Sequence, residues 1–172
     1  MTQALAQRRA PDDGVLEERP AYDLIELFFF AYRDFVSDPD RLLEAYGFGR
    51  AHHRVLHFVD RHPGLAIAEL LDILRITKQS LNRVLKELIG KGFVESRTGT
   101  SDRRQRLLST TVEGHDLALK MAKVQTRRIM RALSEGPDEL NEAASRFLLA
   151  MIDPSDRAHV RRLVLGDEGG PA

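Results

Sequence analysis

The chain has 172 residues, with 26 Lys and Arg balanced by 26 Asp and Glu, 42% hydrophobic residues and no cysteine. This is enough length and apolar content for a packed core, with one domain as the default, and the missing thiols exclude disulfides, thiolate metal sites and a cysteine redox sensor. No stretch reads as a membrane span or as the apolar core of a signal peptide, so a cytoplasmic location is expected.

Residues 1–20 are polar, with Pro11-Asp12-Asp13-Gly14 in their middle, and read as a flexible arm. Ala21–Ser37 predicts a helix with two apolar stripes, Leu24, Phe28, Ala31 and Phe35 on one and Ile25, Phe29, Tyr32 and Val36 on the other. Leu27 and Phe30 widen that surface further. A helix apolar over more than half its circumference needs cover on more than one side, and a second copy of the chain is the economical cover. Pro39 is expected to end this helix, with Arg41–Tyr46 adding a short further turn. Gly49–His62 predicts the next helix, with Val55, Leu56, Phe58 and Val59 apolar, stopped by Pro63-Gly64.

Ala66–Leu74 reads as an amphipathic helix on Ile67, Leu70, Leu71 and Leu74, and only Arg75 and Ile76 separate it from Thr77. Thr77 suits an N-cap, its hydroxyl accepting from an amide of the first turn. Leu81, Val84, Leu85 and Leu88 then form one apolar face, opposite Lys78, Gln79, Asn82, Arg83 and Lys86, with Glu87 the lone offsetting acid. Gly92 fits the left-handed stop of this helix, with Phe93 folding back on Leu88. Two short helices so closely joined predict a helix-turn-helix that offers Thr77, Lys78, Gln79, Ser80, Asn82, Arg83 and Lys86 to DNA. Val94–Arg97 alternates, Thr98–Ser101 has turn chemistry, and Leu107–Thr111 returns as a second β-prone run. A hairpin carrying Arg97, Ser101, Asp102, Arg103, Arg104 and Arg106 after a helix-turn-helix predicts a wing.

Val112–Ser134 predicts a helix about 34 Å long, broken by Gly136-Pro137. Asp138–Ile152 and, beyond Asp153-Pro154, a segment through Val164 predict two more helices before a flexible tail over residues 166–172. The expected organisation is therefore an arm (1–20), a dimerisation helix region (21–46), a DNA-binding unit (47–114), C-terminal dimerisation helices (115–165) and the tail. Leu24, Phe28, Phe35, Phe147, Met151 and Leu163 are the candidate dimerisation residues.

Charge is strongly segregated. Arg75–Arg106 holds nine Lys and Arg against three acids, a net of +6, which leaves −6 on the rest of a neutral chain. That is the footprint of a phosphate-binding surface.

The pattern Asp102-x-Arg104-x-x-x-Leu108-x-Thr110-Thr111-x-x-Gly114, with Leu88-x-x-x-Gly92-Phe93-Val94 before it, resembles the MarR family of winged-helix transcription regulators. The resemblance covers roughly residues 22–152. Thr110 departs from it, standing where the family carries an aliphatic residue, and Arg75 stands where the inter-helix turn often has Gly. The resemblance implies a mainly α-helical fold with a β-hairpin wing. It also implies a homodimer on a palindromic operator, acting as a repressor by steric exclusion of polymerase. A small effector, often an aromatic acid or phenol, would bind between the dimer base and the DNA lobe. Gln79, Ser80 and Arg83 would reach base edges, Arg104 would enter the minor groove, and Asp102 would fix the wing.

Nothing in the chain resembles a nucleophile elbow, a phosphate loop or HExxH, and an enzyme is not expected. His53 and His57 stand one helical turn apart, with His52 and His62 nearby, a spacing that can share a metal ion; no carboxylate sits at a diagnostic spacing, so no metal or other cofactor is assigned. Two alternatives remain open: a metal-responsive regulator of the same fold, and a winged helix used for protein–protein contact.

Overall fold

The computed structural model describes residues 20–99 and 104–166. The expected arm, the tip of the wing turn, and the tail beyond Gly166 lie outside the described residues. The elements follow in the order α1 (Tyr22–Glu44), α2 (Arg50–Arg61), β1 (Leu65–Ala66), α3 (Ile67–Leu74), α4 (Lys78–Gly90), β2 (Val94–Thr98), β3 (Arg106–Thr110), α5 (Val112–Ser134), α6 (Leu140–Met151) and α7 (Pro154–Leu165). The strands form one antiparallel sheet in the order β1-β3-β2.

Pro39 does not end the first helix. α1 runs through it to Glu44, because Val36, Pro39 and Leu43 recur at i, i+3 and i+7 and are all buried. The ring forfeits one backbone hydrogen bond but packs inward with its neighbours, and that tertiary burial outweighs the local cost. Asp38, beside the proline, is held at 2.8 Å by Arg128 of α5. That guanidinium keeps the Asp38 carboxyl below its ordinary pKa.

A second departure is β1. Leu65 and Ala66 are extended and pair with Leu108 and Leu107, so Ala66 closes a strand where a helix start was expected. Gly64, at φ +84°, makes the turn that brings its own N–H to the Leu108 carbonyl at 2.8 Å. Two residues have no period to read. α3 then starts at Ile67, where the Glu69 carboxylate accepts from the Ala66 N–H at 2.8 Å.

One core joins these pieces. Leu56 and Val59 of α2, Leu70 and Leu74 of α3, Leu81 and Leu88 of α4, Val94 and Leu108 of the sheet all meet there, with Leu43 of α1 and Leu117 and Met121 of α5. α6 and α7 contribute no buried residue. Between them Arg157 donates to the Ala150 and Ile152 carbonyls, satisfying acceptors at the end of α6.

The wing joins α5 through Thr111. Its hydroxyl accepts from the Gly114 N–H at 3.1 Å and donates to the Gly92 carbonyl at 2.6 Å. A Cβ on Gly114 would lie 1.9 Å from the Phe93 carbonyl oxygen, so this position admits no side chain. Gly90, near the end of α4, has nothing within 4 Å of such a Cβ. Gly114→Ala is expected to destabilise the fold by about 3 kcal/mol, the scale of overpacking against rigid backbone. Gly90→Ala should be neutral or stabilise by up to ~1 kcal/mol. Urea unfolding midpoints of the two variants check the contrast.

Candidate nucleic-acid interface

The recognition helix α4 is fixed at both ends by its own residues. The Thr77 hydroxyl accepts from the Ser80 N–H at 3.2 Å and donates to the Ser80 hydroxyl at 3.0 Å. At the far end the Phe93 N–H reaches the Leu88 carbonyl and the Gly92 N–H the Ile89 carbonyl, with Gly92 at φ +78°. This is the paired-bond Schellman stop that the sequence predicts. Leu81, Val84, Leu85 and Leu88 are buried, while Thr77, Lys78, Gln79, Ser80, Asn82, Arg83 and Lys86 are all exposed. Glu87 faces the scaffold instead, where its carboxylate meets His52 Nε2 at 3.0 Å. His52 Nδ1 in turn accepts from the Gly49 N–H that opens α2.

Two groups set the turn between α3 and α4, of which sequence reasoning singled out Arg75 but missed Arg54. Arg54 of α2 donates to the Leu74 carbonyl at 2.8 Å, closing the end of α3. Arg75 takes the left-handed conformation, φ +50°, at the position where glycine would be free of strain. Its guanidinium pairs with Asp156 of α7.

In the wing, Val94 pairs with Thr110, Ser96 with Leu108 and Thr98 with Arg106. Arg104 and Arg106 are exposed and share with Lys78, Asn82 and Glu69 a groove of about 620 Å³ between α4 and the hairpin. The structure therefore brings recognition-helix and wing cations to one concave face. Arg97 stands outside the groove and pairs with Glu95 at 2.9 Å. Ser101, Asp102 and Arg103 lie outside the described residues. At the root of the wing the Thr110 hydroxyl donates to Asp60 Oδ1 at 2.9 Å, and His115 Nδ1 lies 2.9 Å from the same oxygen.

Of the candidate dimerisation residues, Leu24, Phe28, Phe147 and Met151 meet in one apolar cleft of about 390 Å³ between α1 and α6. Phe29 is 66% exposed beside them. Phe35 is half-buried and lies apart from that cleft. Leu163 lines a different cavity, about 530 Å³ between α3 and α7, with Phe58, Leu71, Ile73, Arg75 and Asp156.

The helical spacing of His53 and His57 brings their rings to 6.4 Å between centroids. Among the described residues no three His, Asp or Glu are gathered as a metal site. Burial depresses the pKa of both rings; the neighbouring His57 adds to the effect on His53, and Arg61 to that on His57.

An α-helix pair presenting an exposed basic face, followed by a basic hairpin, defines the winged helix-turn-helix class. The sequence profile of the MarR family matches residues 46–105. A relative from Rhodobacter capsulatus, the HTH-type transcriptional regulator PetP, is 45% identical over 139 residues, covering 81% of this chain and 84% of its own. The chain belongs to the MarR family of transcriptional regulators. Solved structures share the fold at lower identity. A MarR transcriptional regulator from Methanosarcina mazei has a TM-score of 0.64 at 23% identity, over 76% of this chain and 94% of that one. MepR of S. aureus, in a structure with DNA, has a TM-score of 0.60 at 18% identity, over 77% and 96%.

The histidines carry a pH prediction. A His pKa depressed on folding contributes stability that is complete above the unfolded value, near 6.5, and is lost as pH falls below it. Stability should therefore decline on acidification from about pH 6.5. His53→Gln, which cannot titrate, should show a smaller loss between neutral and mildly acid buffer. Denaturant midpoints at the two pH values for wild type and variant test this, and equal losses would exclude His53 as a contributor.

Proposed function

We propose that this protein is a sequence-specific DNA-binding repressor that acts as a homodimer on a palindromic operator in the cytoplasm. The observation that carries the reading is the single groove uniting Lys78 and Asn82 of α4 with Arg104 and Arg106 of the wing. A duplex seated there would receive α4 in its major groove and the hairpin along the adjacent backbone. Gln79, Ser80 and Arg83 lie on the early exposed turns and would read base edges. Thr77, Lys78, Asn82 and Lys86 would flank them toward the phosphates. Arg104 would enter the minor groove, where narrow A·T-rich flanks concentrate negative potential. Arg103, Arg106 and Arg97 would contact phosphates, with Ser101 and Asp102 shaping the tip.

Residues 47–114 would act as the DNA-reading unit, and the helices on either side as the dimer base. Leu24, Phe28, Phe147 and Met151, with Phe35 and Leu163 alongside, would be covered by the second copy. Each buried aromatic or aliphatic side chain is worth about 1.5–3 kcal/mol, so cover for this cleft is strongly favoured. The cavity between α3 and α7 would take a small effector, such as an aromatic acid, because Phe58, Leu71, Ile73 and Leu163 line it together with the cation of Arg75.

Two measurements test the reading. Light scattering at micromolar concentration should give twice the chain mass, and a folded monomer would overturn the dimer. Arg83→Ala should weaken binding to the selected operator by about 1–3 kcal/mol and relax preference at one base position per half-site. An equal loss on random DNA would make Arg83 a phosphate contact.

A further inference from the structure

We propose that the Thr110–Asp60 hydrogen bond is a strut that sets the angle of the wing, making Thr110 a positioning residue for minor-groove reading. The inference rests on the DNA-binding reading of the wing and goes beyond it. β3 is held to the body of the lobe at two places along its length. One is the β1 ladder, where Leu107 and Leu108 pair with Ala66 and Leu65 and the Gly64 N–H reaches the Leu108 carbonyl. The other, two residues on, is the Thr110 hydroxyl on Asp60 Oδ1. The ladder and the buried Leu108 hold the middle of β3, and the Thr110–Asp60 bond adds a polar restraint directed at α2. The remaining polar bonds at the wing root run from Thr111 to Gly92 and Phe93 and tie the ends of the hairpin to each other, while Val94 and Leu108 bury its base in the core.

Arg106 stands two residues beyond Leu108 along β3, about 7 Å at the rise of a strand, and Arg104 follows in the turn. A rotation of about 10° at the ladder would therefore move Arg106 by about 1 Å and the turn with it, against a minor groove ~6 Å wide. A guanidinium so displaced meets a potential different from the one it was placed to read.

Asp60 sits where a carboxylate is otherwise unwelcome. It is in the last turn of α2, whose exposed carbonyls carry partial negative charge. The carboxylate at this less favoured end of its helix is satisfied by the Thr110 hydroxyl and stands 2.9 Å from His115 Nδ1. Thr110 itself departs from the aliphatic residue of the family pattern. In this chain the hydroxyl at 110 has its acceptor in Asp60.

The test is a binding series on operators that share a core and differ in A·T-rich or G·C-rich flanks. Wild type should prefer A·T flanks several-fold. Thr110→Val, which keeps the branched shape and removes the donor, should bring that preference close to parity while leaving discrimination among core bases intact. Thr110→Ser, which restores a hydroxyl, should recover the preference. Asp60→Ala cuts the same bond from the other side, so adding Thr110→Val to it should cause no further loss of flank preference. A wild type indifferent to flanks overturns the minor-groove reading and this strut with it. A discriminating wild type matched by Thr110→Val overturns the strut alone. Equal losses of flank and core discrimination, or additive losses in the double variant, would also overturn it.

Discussion

The Phe93 carbonyl accepts from the Thr111 N–H at 3.1 Å, and the same oxygen lies where a side chain on residue 114 would begin. Through that contact the end of α4, the root of the wing and the first turn of α5 occupy a common small volume. Gly92 supplies the left-handed step that turns the chain out of α4, and Thr111 caps α5 while bonding back to Gly92. The closeness of the end of α4 to the root of the wing is thus set by backbone groups, which have few alternatives. A looser junction would leave Arg83 and Arg104 on surfaces that moved independently.

The basic surface is held in place by apolar burial rather than by its own ion pairs. Lys78, Arg83 and Lys86 repel one another along the exposed face of α4. Leu81, Leu85 and Leu88, on the opposite face, each gain about 1.5–3 kcal/mol on burial, whereas an exposed ion pair is worth about 0–1 kcal/mol. The helix can therefore carry uncompensated charge because its stability comes from the other side. Much of the offsetting charge lies on α1, where Asp23, Glu26, Asp34, Asp38, Asp40 and Glu44 stand against Arg33 and Arg41, so neutrality of the whole costs the reading face nothing.

What the sequence makes legible follows from how local each determinant is. The Thr77 cap, the Gly92 stop with Phe93 on Leu88, the two wing strands and the bounds of α5 are all written within a few residues of where they act. Pro39 misleads because its penalty is local while its compensation, burial with Val36 and Leu43, is tertiary. β1 is invisible because two residues carry no periodicity, and its pairing partner is more than forty residues away. The basic groove could be anticipated from charge counts, but its closure by Glu69 and the N-terminus of α3 could not. Arg75 and Thr110 stand out in the sequence as departures from a family pattern. Their partners, Asp156 and Asp60, cannot be found there, since nothing in the local sequence names a contact 81 or 50 residues distant.

Arg75 shows how such a departure is to be weighed. A non-glycine residue in the left-handed region costs roughly 1 kcal/mol or more, and an exposed ion pair returns about 0–1 kcal/mol. The Arg75–Asp156 pair is mostly exposed, so on stability alone glycine would serve at least as well. The backbone strain is tolerated because the turn is already determined by Arg54 on the Leu74 carbonyl and by the Arg75 N–H on the Leu71 carbonyl. What the arginine adds is a connection, since its side chain ties the helix-turn-helix to α7, a helix with no buried residue of its own. Arg75 and Asp156 both line the cavity between α3 and α7. A polar link across an apolar gap can exchange partners at little cost, which a packed contact cannot do. The strain at residue 75 thus accompanies a side-chain link between the helix-turn-helix and α7.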